Sequence, residues 1–335
     1  MSHHEPYLMG EIMDIEHLLK QYELGQIRYI KKDQIGSGEN YIIQTDKGKF
    51  FAKFFKIDDL LNNPKLEVMF NDILLKNCIP VAEFIRNKKD KVLTRCGTKI
   101  AHIQKFVEGR IYYNNTLPGN ILWESAKILG KIHDTLSQYK ISNLDFVEKV
   151  SNIQEKLHQH ILLHEKIKNS KDVVKYCILD DLDYKINLLQ KYSSINLKDF
   201  LCNFTYNLSH GDYNCRQLII HNRKIVAIID FSRMANVPIA WEITRSFTLG
   251  SKTCKNANLD ISQFIRYLSG YKKHFTVSNF DAKYMWELYK IQLLGSVFGY
   301  EDYIRQGDKK LLDFAIWRTN LIRSINQNSN IEKIA

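Results

Sequence analysis

The sequence predicts an α+β protein whose first hundred residues are rich in strands and whose remainder is mostly helical. Three observations predict it. Residues 26–35, 41–45 and 49–55 are β-rich runs, and Asp46-Lys47-Gly48 between the last two reads as a hairpin turn. From Leu122 onward, apolar residues recur at helical spacing through successive segments. Within that stretch stand two short β-branched runs, Leu218-Ile219-Ile220 and Val226-Ala227-Ile228-Ile229, each accompanied by one acidic residue, Asp212 and Asp230.

The elements follow in order. Ile12, Ile15, Leu18, Leu19 and Tyr22 are spaced for one face of an entry helix over residues 11–25. Ile35-Gly36-Ser37-Gly38-Glu39-Asn40-Tyr41 joins two strands, placed where backbone N–H groups could approach phosphates. A tight turn without a ligand accounts for two glycines equally well. Lys53 lies inside Phe50-Phe51-Ala52-Lys53-Phe54-Phe55, where an unpaired ammonium is costly, so it needs an anionic partner. Leu61, Leu66, Met69, Phe70, Ile73 and Leu74 mark a candidate helix over 60–76, which also carries Glu67. Residues 81–85 and 91–94 read as strands closing the small sheet, and 99–109 as a strand ending in Phe106-Val107-Glu108-Gly109.

In the helical region, Ala126, Leu129, Ile132, His133 and Leu136 share one face of a helix over 123–137, with Gly130 permitting close packing and His133 read as a packed residue. Residues 147–192 are helical. His160 and His164 are four apart there, but no further ligands of the right kind are evident, and they read as a solvated face. Pro238-Ile239-Ala240-Trp241-Glu242-Ile243 opens a run of helices to Ile325 whose aromatic residues are mostly core.

With 335 residues, 44% hydrophobic and 25% charged, the chain can bury a sizeable core. No apolar run approaches the roughly 20 residues that span a bilayer, and the first residues lack the blocks of a secretory signal. A cytoplasmic protein without membrane contact is expected. Six scattered cysteines with no Cys-x-x-Cys pair argue against a disulfide framework or a zinc site and are expected to be reduced and mostly buried. The net charge of +11 is spread in single residues and short pairs such as Lys31-Lys32, so a solvated basic surface is expected and no nucleic-acid partner.

Asp212 and Asp230 are eighteen positions apart, a spacing that fits a hairpin bringing both carboxylates to one end of a small sheet. That geometry suits phosphoryl transfer: one carboxylate orients and deprotonates an attacking hydroxyl, and the other holds the magnesium that neutralises phosphate charge. Ordinary turn and strand-end residues would use the same residue types. His210, two residues before Asp212, reads as a bracing hydrogen-bonding group.

The pattern His210-Gly211-Asp212, a short loop, Gln217 before an apolar strand, then Ile229-Asp230-Phe231 resembles the catalytic segment of the aminoglycoside phosphotransferase and choline kinase superfamily. These are small-molecule kinases with a protein-kinase-like fold. The order of elements matches that bilobal fold over nearly the whole chain, which implies a small antiparallel-sheet N-lobe over about residues 1–106 and a mostly helical C-lobe over 107–335. The resemblance further implies ATP as phosphoryl donor with Mg2+, and Asp212 as the catalytic residue. Gly36, Ser37, Gly38 and Asn40 would approach the phosphates. Lys53, paired with Glu67, would contact them directly. Backbone groups near Lys105 and Val107 would meet the adenine ring, and Asp230 and Gln217 would hold metal. The family normally carries Asn where Gln217 stands, so the amide oxygen lies one methylene further out and the number of metals stays open.

The family's kinases act on aminoglycosides, macrolides, choline, homoserine and sugars, so fold and carboxylates do not select the acceptor. Glu242, Glu287, Glu301 and Asp302, near the expected acceptor wall, point to a cationic or amino-containing acceptor or else to solvated surface charges. The expected partners are a nucleotide and a small hydroxyl compound, with a monomer or weak homodimer as the assembly. Two other readings remain: a non-catalytic nucleotide-binding scaffold with a decayed site at Gln217, and a spore-coat-type kinase-like protein or protein kinase. The chain lacks the Ala-Pro-Glu element that ends a protein-kinase activation segment.

Overall fold

Alternation along the third strand sorts its residues: Phe50, Ala52 and Phe54 are buried on one face, and Lys53 lies on the other. The computed structural model describes residues 14–33, 39–58, 62–140, 145–170 and 174–328. Contacts divide the chain into two units, residues 1–111 with 217–234, and residues 112–216 with 235–335.

In the first unit, helix α1 (residues 14–20) precedes strands β1 (Ile27–Asp33), β2 (Glu39–Thr45) and β3 (Lys49–Lys56). Helix α2 (Pro64–Lys76) and strands β4 (Phe84–Ile85), β5 (Thr94–Cys96) and β6 (Lys99–Lys105) follow. The strands form one antiparallel sheet in the order β1-β2-β3-β6-β4, with β5 on β6. Its core joins Ile15, Leu18, Leu19 and Tyr22 of the entry segment to Ile43, Phe50, Ala52, Phe54 and Ile103 of the sheet. Gly48 O accepts from Thr45 N–H at 2.8 Å and closes the expected turn. Helix α2 starts where it does because the Asn63 side chain accepts from the N–H groups of Lys65 and Leu66, and Pro64 has no N–H to satisfy.

The chain continues through α3 (Gly119–Leu136), α4 (Asp145–Ser151), α5 (Ile153–Lys168), α6 (Lys175–Tyr192) and α7 (Leu197–Cys202). Strand β7 (Tyr206–Ser209), the hairpin of β8 (Leu218–His221) and β9 (Lys224–Ile228), and β10 (Ala235–Pro238) come next. Helices α8 (Ile239–Gly250), α9 (Ile261–Tyr271), α10 (Asn279–Leu294), α11 (Tyr300–Gln306) and α12 (Lys309–Gln327) complete the second unit. The β8–β9 turn is made by Asn222 and Arg223, both left-handed at φ 49° and 60°, the geometry that matches strand twist. This hairpin groups with the sheet: Ile228 N–H donates to Pro80 O at 2.7 Å, and Arg110 and Ile220 exchange backbone bonds of 2.7 and 2.9 Å. The sequence places all of 107–335 in one helical lobe, whereas contacts join 217–234 to the sheet unit.

In the second unit β7 pairs with β10, and α3 packs on α9. A Cβ on Gly130 would sit 2.4 Å from Tyr271 O, so the two helix backbones meet at this point. Gly130→Ala is expected to destabilise the fold by about 1–3 kcal/mol, since neither backbone can give way as a side chain would. A thermal melt superposable on wild type would show that α9 moves freely.

Two expectations change here. His160 is buried, not solvated, with Nδ1 2.7 Å from Lys156 O, and burial together with the nearby Lys185 charge lowers its pKa to about 3. Its neighbour on that helix, His164, lies 3.1 Å from Asp183. The six cysteines are free, but Cys78, Cys177 and Cys202 are exposed. Among the described residues no helix is long and apolar enough to cross a membrane.

Candidate active site

In the first unit, Lys53 and Asp230 form an ion pair. Both are positioned by backbone: Lys53 by strand alternation on β3, and Asp230 by a left-handed conformation at φ 64° two residues after the end of β9. Aspartate tolerates that conformation better than most residues. The Ser232 hydroxyl lies 2.6 Å from Asp230 Oδ1 and 3.0 Å from Asn62 Oδ1, and Asn63 N–H donates to Ser232 O at 2.6 Å, so the start of α2 is tied to this segment. The expected Lys53–Glu67 pair is replaced by a division of labour. Lys53 takes Asp230, while buried Glu67 accepts from Phe231 N–H at 3.2 Å through Oε1. Glu67 Oε2 is 3.6 Å from Nε2 of buried His102, beyond a good hydrogen bond.

Asn40 is buried on β2 and paired in register with Lys53. Gly36, Ser37 and Gly38 lie outside the described residues. The Lys105 side chain is exposed and bonds Glu83 at 2.6 Å, its N–H donates to Glu83 O, and Phe106 N–H donates to Lys49 O. Val107 follows, half-buried. Gln217 O accepts from Ile229 N–H at 3.0 Å, which fixes the Gln217 backbone on the strand leading to Asp230.

The donor set can be tested for metal. Asp230 and Gln217 offer a carboxylate and an amide oxygen, both hard donors suited to magnesium. The Asp230 carboxylate is 35% exposed and already faces an ammonium, so this position accepts positive charge. Among the described residues no group of three or more His, Cys, Asp or Glu could hold a metal alone, and magnesium is ordinarily held by one or two protein oxygens with phosphates and water. The residues present fit such an ion.

In the second unit the loop 210–214 carries Asp212. Gly211 adopts φ 77°, a value that favours glycine, and its N–H donates to Glu242 Oε1 at 2.7 Å. Tyr213 N–H reaches the same oxygen at 3.4 Å, and Tyr213 OH donates to Ser125 O at 2.9 Å. Glu242 Oε2 lies 3.0 Å from Nε2 of buried His133, whose Nδ1 is 2.7 Å from Tyr271 OH. Burial alone would raise the Glu242 pKa, but the hydrogen bond with His133 and the bond from the Tyr213 N–H oppose it, and the carboxyl is held below its ordinary value. His210 is a brace as expected: buried, its Nδ1 accepts from Asp212 N–H at 3.3 Å. The Asp212 carboxylate, 19% exposed, meets Arg245 NH2 at 2.5 Å and Asn214 Nδ2 at 3.3 Å, both on Oδ1.

The acidic acceptor wall does not form. Glu242 is fully buried on the loop backbone. Glu287 accepts from Tyr192 OH and pairs with Lys290 at 2.7 Å, and Asp302 pairs with Arg305 at 2.6 Å and accepts from Gly299 N–H. Glu301 is simply exposed. Helices put these acids to work on neighbours within one turn or on buried donors, which the sequence does not reveal. Arg245 is the residue that sequence reasoning misses. Its signal is local: Glu242 and Arg245 are the charges of an otherwise uncharged helix, three residues apart and so on one face.

A profile described as the phosphotransferase enzyme family (APH) matches residues 30–274. No curated protein matches the chain. Among solved structures, AMP-bound spectinomycin phosphotransferase superposes with a TM-score of 0.67 at 15% identity, covering 94% of this chain and 98% of its own. An aminoglycoside phosphotransferase from Alicyclobacillus acidocaldarius follows at 0.66 and 16%, covering 94% and 95%. Choline kinase from Streptococcus pneumoniae gives 0.56 and 13%, covering 96% and 100%. At such identities the likeness establishes the fold, that of the protein-kinase-like small-molecule kinases. The chain belongs to the phosphotransferase enzyme family.

Proposed function

We propose that this phosphotransferase is a small-molecule kinase that uses ATP with magnesium and moves the γ-phosphate to a hydroxyl of an aminoglycoside-like compound, an amino alcohol or a sugar. The observation that carries the reading is the Lys53–Asp230 ion pair, an ammonium and a carboxylate side by side in the first unit, the charges that phosphate and metal would respectively require. Lys53 would hold phosphate oxygens. Asp230 and Gln217 would hold the ion, which supplies charge neutralisation on the β- and γ-phosphates. Backbone groups at Lys105 and Val107 would bind the adenine edge, with Asn40 and the 36–38 loop near the phosphates. Asp212 would orient the acceptor hydroxyl and take its proton; the gain comes mostly from positioning and charge stabilisation.

The solved structures with this fold act on spectinomycin, amicoumacin and choline by their descriptions, so these chemistries begin the acceptor panel. Incubation with radiolabelled ATP is expected to label one hydroxyl compound class, dependent on magnesium. Nucleotide binding without transfer to any member of a broad panel would overturn the reading.

Gln217 tests the metal assignment. Gln217→Ala is expected to lower turnover substantially and raise the magnesium requirement, whereas Gln217→Asn, with the family's usual reach, retains or improves it. Magnesium demands oxygen ligands near 2.0–2.1 Å in octahedral geometry, so a one-methylene difference must be absorbed by rotamer, backbone or water. An alanine variant with wild-type turnover and magnesium dependence removes Gln217 from the site.

A further inference from the structure

Helix α8 is buried along its length at every residue except Arg245. Arg245 reaches one oxygen of Asp212 with one nitrogen, NH2 to Oδ1 at 2.5 Å, and its guanidinium lies 5.5 Å from the Trp241 ring centroid. Its NH1 is buried with no hydrogen-bond partner. Burying a guanidinium nitrogen unpaired is unfavourable, so fold stability alone does not account for an arginine at this position. The same helix bonds the backbone of the Asp212 loop through Glu242. One rigid element therefore holds both the loop and the carboxylate at its tip.

We propose that Arg245 is the positioning residue of the base: it anchors Asp212 Oδ1 and keeps the carboxylate ionised, which rests on the kinase reading given above. A cation at this distance makes the carboxylate less basic, favouring the charged form by one to three pKa units in comparable pairs. Weaker basicity costs little in phosphoryl transfer. The transition state is loose, with charge spread over the phosphoryl oxygens, so alignment of the hydroxyl matters more than the driving force for removing its proton. Asn214 Nδ2, the second donor on Oδ1, acts in the same sense. Other charged or titratable groups around this loop and Arg245 include Glu242 of α8, His133 of α3 through Glu242, His210 and Tyr213 of the loop itself, and, on the Arg245 side, Tyr289 of α10 and Arg318 of α12.

The test is steady-state kinetics of the full chain across pH, with the acceptor found by the panel or, failing one, with water as acceptor in MgATP hydrolysis. Arg245→Gln is expected to lower kcat by about 10–100-fold with the KM for ATP within about two-fold of wild type, and to move the acid limb of the kcat profile up by about one pH unit or more. The direction follows from the base needing to be deprotonated: without the cation its proton is held to higher pH. Arg245→Lys keeps a charge without the fork and is expected to leave the limb at its wild-type position while recovering part of kcat. An Arg245→Gln enzyme with wild-type rate and limb overturns the proposal, as does equal loss in both variants with neither limb moved. Should the glutamine variant not fold, a lysine variant whose limb rises by a unit overturns it alone. Wild-type protein that transfers phosphate neither to a panel member nor to water brings down the kinase reading and this proposal together, whereas an active wild type beside an unchanged Arg245→Gln removes only the role of Arg245.

Discussion

Asp212→Asn is expected to lower turnover by about 10²–10⁴-fold, the range of a positioned general base, while ATP affinity stays within about two-fold of wild type. The substitution is close to isosteric. An asparagine oxygen can still accept from Arg245 and Asn214 at the Oδ1 position, and the loop backbone remains bonded to Glu242 and His210. What is lost is the ability to take a proton from the acceptor hydroxyl. Turnover under saturating nucleotide, with affinity measured by calorimetric titration, separates the two quantities. More than a tenth of wild-type turnover in a verified Asp212→Asn preparation removes this residue from the proton transfer.

Loss of the Asp230 carboxylate is expected to weaken ATP binding at least about tenfold in the presence of magnesium, and far less without it, because the carboxylate contacts the ion and not the nucleotide. Two substitutions are needed to read this cleanly. Asp230→Ala places a Cβ-bearing residue with no local hydrogen-bonding group at φ 64°, a strained setting, and also removes the partner of Lys53, whose side chain is 15% exposed with its Nζ 4.8 Å from the Phe55 ring centroid. Its melting temperature should fall. Asp230→Asn tolerates the left-handed backbone and keeps an oxygen toward Lys53, so it isolates the charge. Equal weakening with and without magnesium in the asparagine variant would point away from a metal role.

Local patterns in the sequence were enough for much of the architecture. Asp46-Lys47-Gly48 carries its own turn chemistry, the aromatic run of β3 needs no partner to be recognised, and Gly130 interrupts an apolar helix face where another backbone approaches. His210-Gly211-Asp212 is legible through its resemblance to the family's catalytic segment, and Gly211 supplies the left-handed residue that its turn uses. Choice of partner is different. Lys53 visibly needs an anion, but whether Glu67 or Asp230 provides it depends on how α2 and the segment after β9 meet, which no residue near Lys53 specifies. The same holds for Glu242, which stands on a helix as a surface acid would and is in fact buried against two N–H groups from a loop some thirty residues earlier. His160 escapes for the opposite reason: four-residue spacing to His164 suggests a shared face, yet helices packed on α5 cover one and leave the other at its rim.

The grouping of residues 217–234 with the sheet has a consequence for how the protein is made. A chain emerging from the ribosome releases β1 to β6 first, but Pro80 O and the backbone of Arg110 find their partners only when Ile228 and Ile220 appear. All of Tyr112–Arg216 must be translated in between, a delay of about 5–20 s at ~5–20 residues per second. During it the nascent N-terminal portion lacks a hairpin belonging to its own contact unit, and Val81, which bridges to Ile228, awaits its neighbour. Vectorial synthesis thus keeps the early part of the chain incomplete until residues 217–234 have been translated, and a fragment ending near Ile111 lacks the hairpin of its own contact unit.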